Sequence, residues 1–294
     1  MKERLSALAY FAGWRIVRSL PEKTAYNLFA RISSIMFARG GSSVMRLRFN
    51  LARVVPELNS IQLDELVRKS LDSYLRYWCD TFRIQDWSTE RMQKSVSLHN
   101  EHLLLDPMKD GRGVVIILPH SGNWDHAGAY FCSLGIQLVT VAERLKPEAL
   151  FVKFLEYRQS MGFEVLGLDA RSFGTLMSRA REKRLIALVA DRDLSSSGID
   201  VEFFGFPARM PAGPALLAIR TGIPLVVAHV SYTANGIHID FNEVDVPSSG
   251  DETERIKTIV QSSADLFARG ISEHPEDWHM LQRIWIDGDF KERE

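Results

Sequence analysis

From Gly111 onward, short apolar runs alternate with stretches of helical periodicity, and no other feature of this chain restricts its fold as strongly. Strands are predicted at 113–118, 136–142, 163–168, 185–190, 201–205, 223–232 and 236–241, and helices at 124–133, 147–161, 171–183, 212–221 and 252–273. A run such as Gly113-Val114-Val115-Ile116-Ile117-Leu118 is apolar at every position after the glycine, which suits a strand covered on both faces. Strands joined through helices run parallel. The expected fold is therefore α/β, a mostly parallel central sheet flanked by helices. Residues 3–88 carry helical spacing throughout, with helices expected at 3–20, 22–38, 42–54 and 61–80, divided by Pro21, Gly40-Gly41 and Pro56. Ser60 is the expected cap of the last. With no internal repeat and no low-complexity tract, the chain reads as one domain over 1–294, a helical portion at 1–88 and an α/β core at 89–294.

Open α/β sheets place their chemistry at the carboxyl ends of strands. The strand 113–118 runs through Pro119 into His120-Ser121-Gly122-Asn123-Trp124-Asp125. His120 is a general-base candidate, because imidazole accepts a proton near neutrality and a neighbouring carboxylate can orient the ring. Asp125 reaches it only if Ser121-Gly122-Asn123 is a turn and a helix begins near Trp124. Two further strand ends carry charge: Ala142-Glu143-Arg144-Leu145-Lys146-Pro147 and Ala190-Asp191-Arg192-Asp193. Singly, these are loop residues and solvated ion pairs. On one rim of a parallel sheet they bring a base, carboxylates and arginines to a common substrate.

Other chemistries lack their signatures. There is no Gly-x-Ser-x-Gly elbow, no P-loop and no Gly-x-Gly-x-x-Gly after a strand. His120, Asp125 and His126 come from one turn without a matching donor set, a weak basis for a metal. Cys79 and Cys132 are the only cysteines and stand far apart, so neither a disulfide framework nor a zinc ribbon is expected.

The net charge of −1 conceals an asymmetry. Residues 1–53 hold ten basic and two acidic side chains, so the remainder carries −9. A basic segment on an acidic body suits an anionic surface. Tyr10, Phe11, Trp14, Phe29 and Phe37 interleave with aliphatic residues and arginines, the composition of helices lying in a lipid interface; no nucleic-acid motif accompanies them. The alternative is that these helices simply cover the core. No run reaches the roughly 18 apolar residues of a spanning helix, and Arg15 and Arg18 stand where a signal-peptide cleavage site would fall. The expectation is a peripheral protein with a membrane-facing amino-terminal region.

His120 and Asp125 form a His-x4-Asp arrangement. Together with Leu118-Pro119 before it, Asp191-Arg192-Asp193, Phe203-Phe204-Gly205 and Met210-Pro211-Ala212-Gly213-Pro214, it resembles the glycerolipid acyltransferase-like superfamily, in the branch of the lauroyl and myristoyl transferases of lipid A synthesis. Ala9-Tyr10-Phe11-Ala12-Gly13-Trp14-Arg15, Ser73-Tyr74-Leu75-Arg76-Tyr77-Trp78, Val141 to Glu148 and Asp277-Trp278-His279-Met280-Leu281-Gln282 are similar to the actinobacterial phosphatidylinositol mannoside acyltransferase family, over nearly the whole chain. The resemblance implies transfer of a long acyl chain, typically palmitoyl, from coenzyme A to the 6-hydroxyl of a mannose on a phosphatidylinositol mannoside, at the cytoplasmic face of the cell membrane. It makes His120 the base and Asp191 its assisting carboxylate, an aspartate where the family carries glutamate. It places Asp125, Glu143 and Arg158 around the site and Ser197 in a loop near the substrates. Arg220 stands where the family carries an acidic residue and takes no role. Acyl-coenzyme A would be a co-substrate, with no cofactor or metal. Amides at the start of the helix after Gly122 are candidate oxyanion donors. Arg144, Arg158 and Arg192 are candidate partners of substrate phosphates. Sixteen carbons at about 0.8 kcal/mol per buried methylene require a deep apolar groove, for which Tyr77, Trp78, Phe82, Trp124, Tyr130 and Phe131 are candidate lining. Transfer to another saccharolipid, and lipid binding without catalysis, are the alternatives.

Overall fold

The computed structural model describes residues 2–143, 148–169, 171–193 and 195–288, the main chain alone for 2–9. Four helices come first: α1 (Lys2–Ser19), α2 (Glu22–Arg39), α3 (Ser42–Val54) and α4 (Ser60–Arg83). Pro21 separates the first two, and Gly40 ends α2 in the left-handed region at φ 57°, its N–H capping Met36 and Phe37 carbonyls. The cap of α4 is Asn59 rather than Ser60. Its side chain accepts from the Ile61 and Gln62 amides at 3.0 and 3.1 Å while Gln62 reaches back to the Asn59 amide, a reciprocal arrangement that a serine one position later lacks.

The core continues through α5 (Thr89–Lys94), β1 (Val96–His99), α6 (His102–Lys109), β2 (Val114–Leu118), α7 (Trp124–Ser133), β3 (Leu138–Ala142), α8 (Glu148–Ser160), β4 (Glu164–Gly167), α9 (Ser172–Arg181), β5 (Leu185–Val189), β6 (Ile199–Phe203), β7 (Phe206–Met210), α10 (Gly213–Thr221), β8 (Leu225–Tyr232), β9 (Ile237–Val244) and α11 (Glu252–Glu273). Seven strands form one sheet in the order β1-β9-β8-β2-β5-β3-β4, parallel at every pairing except β8 with β9. The sheet is the mostly parallel, helix-flanked one expected. β2 lies at its centre with all five residues buried, each contributing about 1.5–3 kcal/mol of apolar burial. Val115 and Ile117 face a core built with α3, α9, α10 and α11, and Val114, Ile116 and Leu118 face a second built with α1, α2, α6, α7 and α8. The first half of α4 packs into one core and its second half into the other, so this helix crosses the sheet's rim.

Two regions differ from expectation. The strand expected at 201–205 is instead the first arm of an antiparallel hairpin, β6 with β7, outside the main sheet. Phe204 and Gly205 both adopt positive φ, 51° and 75°, which turns the chain back within two residues. Residues 89–109, without an assignment from sequence, hold α5, β1 and α6, elements of four to eight residues too short for a periodic signal.

In the amino-terminal helices, Trp14 and Phe29 are buried and Phe11 and Phe37 half-buried; Trp14 donates to the Phe82 carbonyl at 3.1 Å and packs on Phe82, Phe154 and Tyr157. These aromatics mainly fasten the helices to the body. What remains outward is largely aliphatic: Ile16, Leu28, Ile32, Ile35, Met45 and Ile61, with Tyr10 and Phe49. No helix of the described residues is long and apolar enough to cross a membrane.

Three buried histidines make this fold acid-sensitive. Burial pushes His126, His229 and His279 down from 6.5 to about 3, 4 and 3. Unfolded, all three take protons below pH 6.5 that the native state refuses, so stability is full above 6.5 and falls as pH drops. Asp80 opposes them: burial raises it to about 6, so the native state holds its proton between about 6 and 3.8. At most a net two protons favour unfolding between pH 6 and 4, a ceiling of about 3 kcal/mol per pH unit, because the Asp277 carboxyl, also raised by burial, holds its own proton more tightly in the native state. Urea denaturation midpoints should be flat from pH 8 to 7 and fall steeply below 6; a midpoint unchanged at pH 5 would contradict this.

Candidate active site

Strand register places the central pair. Leu118 of β2 pairs with Val189 of β5, so His120 and Asp191 each lie two residues beyond paired strand ends, side by side on one rim. The His120 amide donates to Asp191 Oδ2 at 2.9 Å, and its ring Nδ1 lies 2.5 Å from Asp191 Oδ1. Asp191 is fully buried. Burial alone would raise its carboxyl, but the His120 charge, the bonds from the His120 ring and amide, and the Trp278 indole together hold it below the usual carboxylate range. An ionised Asp191 can only accept, so Nδ1 carries the hydrogen and Nε2 is left as the basic nitrogen. The His120 side chain is 32% exposed, toward a cleft.

The loop after His120 is held from the far end of the chain. Gly122 donates to the Asp277 carbonyl at 2.9 Å, His279 donates to the His120 carbonyl at 2.7 Å, and Ser121 pairs with Trp278. Asp277 is itself fixed by the Ser73 hydroxyl and the Tyr232 amide. Gly122 sits at φ 57°, where a Cβ would come within 2.5 Å of the Val230 carbonyl oxygen, so no side chain fits. Asn123 caps α7 by accepting from the His126 amide at 2.9 Å. The amides of His120, Ser121 and Gly122 are thus all committed to holding the loop.

Trp278, fully buried, donates Nε1–H to Asp191 Oδ2 at 3.0 Å. Sequence reasoning gave it no role, although Asp277 to Gln282 is one of the segments that carry the family resemblance. Trp278→Phe keeps the ring and removes the donor. A bond to a charged group is worth about 1.5–3 kcal/mol, so turnover should fall at least roughly tenfold with little change in KM. The acid limb of the pH-rate profile should move upward, since a carboxylate short of a donor holds the imidazolium proton more tightly. An unchanged profile would mean the indole serves packing alone.

Asp125 does not meet His120. The ring is oriented by Asp191, while Asp125, buried in the first turn of α7, accepts from Arg158 Nε of α8 at 2.8 Å and from the Tyr77 hydroxyl of α4 at 3.1 Å. Because α7 begins at Trp124, its second residue turns toward α4 and α8. Burial alone would lower the Arg158 guanidinium, but Asp125 and its neighbours hold it above its usual value. The aspartate, arginine and tyrosine together lock three helices around the rim.

The cleft has a volume of about 610 Å³, in the roughly 300–1,000 Å³ range of small-molecule sites. His120, Glu143, Arg158, Arg192 and Ser197 all line it. Glu143 is exposed at the end of β3, and Ser197 bonds through its hydroxyl to Ser195 at 2.8 Å. Arg144 lies outside the described residues. Arg220 lies away from the cleft, paired with Glu252 at 2.9 Å on the surface. Of the expected aromatic lining, Tyr77, Trp78 and Trp124 line the cleft with Phe151 and Phe154, whereas Phe82 packs behind. Phe131 instead lines an apolar cavity of about 70 Å³ between α7 and the sheet, which shares Trp124, Val141, Arg158 and Val189 with the cleft as common walls; Tyr130 lines neither. His126 turns away to Ser95, so His120, Asp125 and His126 do not converge on a metal. Among the described residues, only His274, Glu276 and Asp277 bring three metal-capable groups together, and both Asp277 oxygens are already bonded.

A family model described as bacterial lipid A biosynthesis acyltransferase matches residues 2–286. A phosphatidylinositol mannoside acyltransferase of Mycolicibacterium smegmatis is 44% identical over 287 residues, 96% of this chain and 92% of the relative. Proteins of the same name from two strains of Mycobacterium tuberculosis are each 40% identical over 283 residues, 95% of this chain and 88% of theirs.

Proposed function

The chain belongs to the bacterial lipid A biosynthesis acyltransferase family, and from that membership we propose that it moves a palmitoyl chain from coenzyme A to the 6-hydroxyl of a mannose on a phosphatidylinositol mannoside. The names of the similar mycobacterial proteins favour this acceptor over another saccharolipid. One observation carries the mechanism: His120 presents Nε2 to the cleft while Asp191 occupies Nδ1.

A sugar hydroxyl is a weak nucleophile and a thioester a good electrophile, so the reaction needs deprotonation and alignment rather than an acylated enzyme residue. Nε2 of His120 takes the hydroxyl proton as the oxygen attacks the thioester carbonyl carbon. The carbonyl electrons move onto oxygen and return as the carbon–sulfur bond breaks. The thiolate leaves with the proton from Nε2, giving an ester and a free thiol and restoring the neutral ring. Asp191 stabilises the transient imidazolium without itself being protonated. The cleft's aromatic and aliphatic wall accommodates the acyl chain, and Glu143 and Ser197 flank the acceptor. The carbon count of this chain rests on the resemblance. Purified protein with palmitoyl-coenzyme A should release thiol when offered the mannolipid and not when offered a lipid A precursor. Equal rates with both acceptors would sink the choice of acceptor, and no release with either would sink acyl transfer.

We place the protein peripherally on the cytoplasmic membrane face. Leu28, Ile32 and Ile35 stand exposed along one face of α2, with Met45 and Phe49 exposed on α3, and Arg15, Arg31 and Arg39 of α1 and α2 are exposed as well. Each cation near an anionic surface is worth about 1 kcal/mol. Sedimentation with vesicles should require anionic lipid and drop at least roughly tenfold in high salt. Retention indifferent to both would remove the interfacial role.

A further inference from the structure

One cation in the cleft wall is incompletely matched among the described residues. Arg192 follows Asp191 directly and lines the cleft, yet its Nη1 is buried without a hydrogen-bond partner and the side chain enters no ion pair among the described residues. The adjacent carboxylates act on it only through their charge: Asp191 bonds to His120 and Trp278, and Asp193 Oδ1 to the Ser195 amide at 2.7 Å. Arg158, the other arginine described in the cleft wall, is already matched by Asp125. Burial weighs on the Arg192 guanidinium strongly enough to lower it below its usual value despite Asp191 and Asp193 nearby. A buried cation left unmatched is costly, and a fork of nitrogen donors of this kind fits the oxygens of a phosphate.

The surroundings narrow the ligand. The cleft wall is uneven in chemistry: six large apolar side chains, Phe151, Phe154, Leu155, Leu168, Phe173 and Leu176, come from α8, α9 and the segment between β4 and α9, with Asp169 and Ser172 among them, while Arg192 is accompanied by Ser195, Ser197 and the start of α10. An acyl thioester is uneven in the same way, a hydrocarbon on one side of the reacting carbon and a carrier on the other. Resting on the acyl-transfer reading above, we propose that Arg192 receives a phosphate oxygen of the donor's carrier and so selects a phosphorylated thioester over a bare one. Ser195 and Ser197 hydroxyls, which now bond to each other at 2.8 Å, are free to turn to the same oxygens.

The test compares two palmitoyl thioesters, of coenzyme A and of N-acetylcysteamine, which carries no phosphate. Loss of a charge-assisted bond corresponds to roughly 10- to 100-fold, so Arg192→Gln should reduce the preference for the coenzyme A donor by that factor, mainly through KM. Arg192→Lys, which keeps the charge but not the fork, should lose less. An equal fall in turnover with both donors, or a rise in KM for the mannolipid instead, would overturn the assignment. Calorimetry with free coenzyme A needs no turnover and separates the two claims. At least tenfold weaker binding by folded Arg192→Gln supports the phosphate site even if the acceptor is wrong, and equal affinity refutes it even if transfer is confirmed.

Discussion

His120→Ala should cut thiol release by about 10²- to 10⁴-fold in a protein that still folds, its melting temperature lowered by a few degrees because the buried Asp191 carboxylate loses its ring partner. A positioned base contributes roughly 10²- to 10⁴-fold, and His120 is one-third exposed at a loop, with no apolar packing of its own to lose beyond an edge contact with Trp124. Asp191→Asn should cost nearly as much for a different reason. An asparagine amide can donate to Nδ1, which moves the ring hydrogen to Nε2, where it blocks proton uptake; the analogous change in a serine protease costs about 10⁴-fold. The pair is best measured as initial rates of free thiol with melting curves on the same preparations. Turnover within tenfold of wild type in folded His120→Ala would remove the histidine from the chemistry.

Asp125→Ala should show the reverse pattern. Removing this carboxylate leaves Arg158 buried without its partner and the Tyr77 hydroxyl unsatisfied, and breaking a buried pair costs about 3–5 kcal/mol. For a chain of this size that is a fall of roughly 10 °C in Tm. The double variant Asp125→Ala with Arg158→Leu should recover much of the loss, because the uncompensated charge goes with the partner. If instead Asp125→Ala melted like wild type and lost only turnover, the carboxylate would act on substrate rather than hold helices.

The two aspartates show how far sequence reaches. The strand pattern brought Asp191 to the same rim as His120, because parallel neighbouring strands bring their ends together and the apolar runs 113–118 and 185–190 are clear, but its pairing with the histidine came from the family resemblance. Asp125 was placed beside His120 by proximity along the chain, but the starting residue of α7 decides which way its second side chain points. The β6–β7 hairpin hinges on Phe204 in a conformation that phenylalanine rarely adopts, so the expected strand at 201–205 ran into the turn and the second arm went unassigned. Trp278 reaches Asp191 from 87 residues away; no local signal announces such a bond. Arg192 was named from sequence as a candidate partner of substrate phosphates, but that its guanidinium lacks a partner shows only once every neighbouring side chain is in place.

The most direct measurement is the position of the new ester. Wild-type protein, palmitoyl-coenzyme A and a phosphatidylinositol mannoside should yield one product with a single added palmitoyl group, mapped by tandem mass spectrometry and NMR to the 6-oxygen of mannose, with one thiol released per ester. Thiol release without an ester, or acylation of the inositol ring or of other mannose hydroxyls instead, would contradict a base aligned with one sugar alcohol.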